Sequence, residues 1–89
     1  MSTYIRDEKN NVVIAKLSAD DWELPSQVKV LEKWLDENSN LLVSGEYRAD
    51  IGFSMRENAC GGGAVLSVKA MTIMSSLGMR LFLSEYPDD

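Results

Sequence analysis

The segment ADIGFSMR restricts the fold more than any other part of this 89-residue chain. Ala49, Ile51, Phe53 and Met55 alternate with Asp50, Gly52, Ser54 and Arg56, the period of a strand with one face on a core. Upstream, ELPSQVKVLEKWLDEN carries the other period. On a helical wheel Leu24, Val28, Leu31, Trp34 and Leu35 share one side, and Lys29, Glu32, Lys33, Asp36 and Glu37 share the other, so the expectation is a surface helix with one buried stripe, opened by Pro25 in its first turn.

The remaining segments fall into place around these two. STYIRDE and NNVVIAKLS read as a hairpin, with Val12, Ile14 and Lys16 alternating against Val13, Ala15 and Leu17 so that one face is fully apolar and the other nearly so. LLVSG, leading through EYR, is expected as a short strand of its own. Ser67 is placed to cap a second helix, whose buried arc is Ala70, Met71, Ile73, Met74 and Leu77 against Lys69, Thr72, Ser75 and Ser76. Gly78 follows as a left-handed C-terminal cap, MRLFLSEY as a last strand, and PDD as an exposed acidic tail. The order ββαββαβ predicts a single α+β domain over residues 1–89, with an antiparallel or mixed sheet and two helices packed on one of its faces.

Composition narrows the function. A hydrophobic content of 45% argues for a folded core, and a single cysteine excludes an internal disulfide, which fits a reducing, cytoplasmic setting. No apolar run approaches the roughly 18 residues that span a bilayer, so no membrane association is expected. A net charge of −5 works against nucleic-acid binding. The chain has no histidine, which removes serine–histidine triads, papain-type thiol activation and most zinc sites. No cofactor, metal or catalytic residue is assigned, and the chain is not expected to be an enzyme.

Three features carry the functional question. The first is ENACGGGAVLS, which reads as a long strand-to-helix connection. Its contiguous Gly61, Gly62 and Gly63, followed by Ala64, match neither a dinucleotide fingerprint nor a P-loop. An anion at the second helix N-terminus remains open as an alternative, with Cys60, Gly61, Gly62, Gly63 and Ser67 as its ligand-binding set. The second is acidity, since residues 20–37 hold six acidic side chains against two basic ones. Asp20, Asp21, Trp22, Glu23, Glu32, Asp36 and Glu37 form the expected surface for a basic protein partner. Trp22 either staples the helix entry to the sheet or stands exposed as an interface anchor. The third is the set of methionines 55, 71, 74 and 79, all on faces expected to be buried and therefore read as core filling.

The motifs Ile51-Gly52-Phe53, Gly61 to Gly63, Leu66-Ser67, Leu77-Gly78 and Tyr86 resemble the C-terminal half of a family of small bacterial domains of unknown function. The resemblance covers rather less than half of the chain, and the N-terminal half shows no match. Some proteins similar to these accompany toxins as immunity partners, so the resemblance implies a protein-binding role and supplies no catalytic residue. The expectation is a non-enzymatic protein-binding module, an immunity or regulatory protein using its acidic face. The alternative is a domain binding a small anionic metabolite at the glycine-rich loop, and a homodimer through a sheet edge is compatible with either.

Overall fold

The computed structural model describes residues 2–87. Its elements run β1 (Thr3–Asp7), β2 (Val12–Leu17), α1 (Leu24–Asn38), a 3-10 turn (Ser39–Leu41), β3 (Tyr47–Ser54), α2 (Val68–Leu77) and β4 (Met79–Tyr86). The fold is α+β. One four-stranded mixed sheet has the order β2-β1-β3-β4, antiparallel at β1/β2 and β1/β3 and parallel at β3/β4.

Local chemistry sets each boundary. In the β1–β2 turn the Asp7 carboxylate accepts the backbone N–H of Asn10 at 3.0 Å and its side-chain amide at 2.8 Å. Asn11 then takes a φ of 58°, which asparagine tolerates better than most residues. The Ser67 hydroxyl accepts the Ala70 N–H at 3.0 Å to cap α2. Gly78 closes that helix at φ 76°, donating to the carbonyls of Met74 and Ser75.

Alternation sorts the sheet into two faces. Ile5, Tyr47, Ala49, Ile51 and Met79 point to the helices and are buried against Val28, Leu31 and Leu35 of α1 and Ala70, Met74 and Leu77 of α2. Tyr4, Arg6, Arg48, Asp50 and Phe82 occupy the opposite face. Gln27 is fully buried between helix and sheet. Its Nε2 donates to the Gly52 carbonyl at 2.7 Å, and its Oε1 accepts the Thr3 hydroxyl. Burial is affordable for this amide because both ends are paired.

Several expectations change at the level of single elements. LLVSG is not a strand. Gly45 N–H bonds to Leu77 O at 2.9 Å and the Tyr47 hydroxyl donates to Val43 O at 2.7 Å, so this segment is tied to the end of α2 and to β3, and the order is ββαβαβ. β3 ends at Ser54, which leaves Met55 half exposed, and Met71 points outward from α2. Of the four methionines read as core, only Met74 and Met79 are buried. Val12, Val13 and Ile14 are exposed because β2 is an edge strand that the core cluster reaches only at Ala15 and Leu17. The tail residues Asp88 and Asp89 lie outside the described residues.

Candidate functional site

The entry to α1 is built as a turn locked to the end of β3. The Asp21 carboxylate accepts the Glu23 N–H at 2.9 Å and the Ser26 hydroxyl. The Ser54 N–H donates to the Trp22 carbonyl at 2.9 Å. The Trp22 ring meets Tyr86 edge to face, with centroids 5.7 Å apart and planes at 84°, a favoured aromatic geometry. Gly52 makes room for this pair: a Cβ there would lie 2.8 Å from a Tyr86 ring carbon and 3.5 Å from the Trp22 ring. Trp22 thus fastens the helix entry to the sheet and still presents 39% of its surface.

Beyond β3 the chain passes through the glycine-rich loop. Arg56 donates to Gly61 O at 2.7 Å and folds the loop back on itself. Gly61, Gly62 and Gly63 all have positive φ, at 99°, 77° and 131°, which explains a run of three glycines in backbone terms.

Between the α1 entry and this loop lies a cleft of about 700 Å³. Trp22, Leu24, Pro25, Phe53 and Met55 form its apolar walls, with Ser26, Ser54, Lys29, Arg56, Glu23 and Glu85 supplying polar groups. It sits at the carboxyl ends of the parallel pair β3/β4, where open α/β sheets bind ligands. The α1 N-terminus at its edge has no side-chain cap and no acidic residue in the first turn.

The expected site residues separate across the molecule. Trp22, Glu23 and Gly63 line the cleft; Cys60, Gly61 and Gly62 lie outside its lining, in the exposed loop. Glu32 accepts the Ser67 N–H at 2.7 Å and Asp36 pairs with Lys69, so these three residues of the two expected sets meet in a hollow of about 350 Å³ between the helices. The α2 N-terminus, proposed for an anion, already holds the chain's own Glu32 carboxylate. Asp20 and Glu37 are exposed near opposite ends of α1, whose 15 residues extend about 22 Å. Asp20 to Glu23 and Glu32 to Glu37 are therefore two patches.

Sequence reasoning missed Leu24, Pro25, Ser26, Lys29, Phe53, Met55, Arg56 and Glu85 as neighbours of one cavity. The available signal was the glycine run after a strand, which marks a long loop at that strand's carboxyl end. Among the described residues no group of three or more His, Cys, Asp or Glu side chains is placed to hold a metal ion, and no helix is long and apolar enough to cross a membrane. No family model, curated protein or solved structure matches the chain.

Proposed function

We propose that the domain is a non-enzymatic binding module that takes a ligand with an apolar body and one anionic group into the cleft beside α1. The observation that carries this reading is the cleft itself, whose volume of about 700 Å³ falls within the range of small-molecule sites, roughly 300–1,000 Å³. Its walls are largely apolar. Lys29 and Arg56 favour negative charge. Glu23 and Glu85 limit how much, so a monoanion suits the site better than a polyphosphate. The chain has no histidine and the Ser26 hydroxyl donates to Asp21 at the helix entry, so the cleft is read as a binding site alone.

The acidic-face reading has less behind it, since Asp21, Glu32 and Asp36 are engaged within the chain. A thermal-shift series tests the cleft directly. Octanoate and indole-3-acetate are expected to raise Tm, while octanol, indole and inorganic phosphate do so weakly. A ligand at ten times its Kd stabilises by about 1.4 kcal/mol, or roughly 6 °C or more in a domain of this size. Pairing Lys29→Ala with Arg56→Ala should abolish the difference between acid and alcohol. If no amphipathic acid shifts Tm at millimolar concentration, the proposal fails.

A further inference from the structure

The sheet face turned away from the helices carries a row of arginines. Arg6 on β1 stands opposite Arg48 on β3, and Arg48 stands opposite Arg80 on β4, with adjacent strands about 4.8 Å apart. Like charges placed directly opposite one another destabilise a sheet. The row is answered by one carboxylate, Glu8, 2.6 Å from Arg48 Nε and 3.5 Å from Arg6 Nε. Arg80 has no carboxylate partner among the described residues. The Phe82 ring carries the guanidinium of Arg48 4.0 Å from its centroid and that of Arg80 5.2 Å away, which holds the side chains in place without neutralising them. Three cations less Glu8 leave this row at +2, and the exposed Glu46, whose carbonyl accepts the Glu8 N–H at 2.9 Å, lowers the surplus to +1, on a chain whose net charge is −5. In the next row Lys16 offsets Asp50, which takes hydrogen bonds from Tyr4 and Ser84.

We infer that this face docks an acidic, extended segment of a partner protein, whose carboxylates replace the neutralisation the chain does not supply. Arginine set among tyrosine and other aromatic side chains is the composition of protein-interface hot spots. Single-stranded nucleic acid is the rival occupant, and two observations disfavour it. Base stacking needs a free aromatic face, whereas Phe82 is already covered by Arg48 at 4.0 Å. A net charge of −5 also opposes a ligand with one phosphate per nucleotide. The partner's charge is the reverse of the basic one expected from the sequence, and the inference is independent of the cleft.

The probe is a synthetic peptide of alternating glutamate and threonine, compared with an oligothymidylate of matching length at low ionic strength. Amide shifts of the 15N-labelled protein are expected to gather at Arg6, Arg48, Arg80 and Phe82 on adding the peptide. Arg80→Gln should weaken peptide binding about tenfold and flatten its salt dependence without lowering Tm, and Arg80→Lys should recover most of the affinity. The inference is overturned if the folded protein ignores the peptide, if the shifts map to the helical side, or if oligothymidylate binds more tightly through the same residues.

Discussion

A methyl group on Gly78 would sit 2.1 Å from the carbonyl oxygen of Gly45, at a φ of 76°. Left-handed strain and a backbone collision act together there, so Gly78→Ala is expected to cost about 3 kcal/mol or more, read as a lowered urea midpoint. Gly62 presents the contrast. Its φ is 77°, but the nearest atoms to a Cβ are Arg56 guanidinium nitrogens at 3.8 Å, so Gly62→Ala meets strain alone, about 1 kcal/mol. At Asp7 the Asn10 side chain, and then its backbone N–H, hold the carboxyl below the ordinary aspartate value. A depressed folded pKa contributes stability above the unfolded pKa and loses it as pH falls through the folded one. Asn10→Ala should therefore move the Asp7 carboxyl titration, followed by NMR, up toward the ordinary value, and lower stability at neutral pH while weakening its dependence on acid.

Elements announce their ends more clearly than their environments. Ser67 and Gly78 marked both ends of α2 because capping is a local bond of one side chain or one backbone angle. The α+β class was legible for the same reason, since alternation and helical period are local. What escaped depended on partners far along the chain. Met71 fits an apolar arc on paper, yet α2 packs through Ala70, Met74 and Leu77 and leaves it outside. LLVSG has strand composition, but the end of α2 claims Gly45. Gln27 reads as polar surface and is the amide that ties α1 to β1 and β3. Gln27→Leu would leave the Gly52 carbonyl and the Thr3 hydroxyl unpaired in the core. We expect a loss of about 1–3 kcal/mol in chemical denaturation, with the helix content of the native state unchanged.

At the scale of the molecule, the cleft exists because β3 and β4 run parallel and end beside the α1 entry. Trp22 was singled out in the sequence, and the structure gives it a place in both the stapling contact with Tyr86 and the cleft wall. The sequence does not pair Lys29 with Arg56, because 27 positions separate them and only the fold brings them to one cleft. Cys60, exposed and outside the cleft lining, should be replaceable by serine with Tm and cleft binding intact. The most direct measurement of the central claim is an amide chemical-shift map of the 15N-labelled protein titrated with indole-3-acetate. The account predicts saturable shifts at Trp22 to Lys29, Phe53 to Arg56 and Glu85. Shifts centred on Glu32 and Ser67, or none at a concentration where the protein is folded and the acid is in large excess, would contradict it.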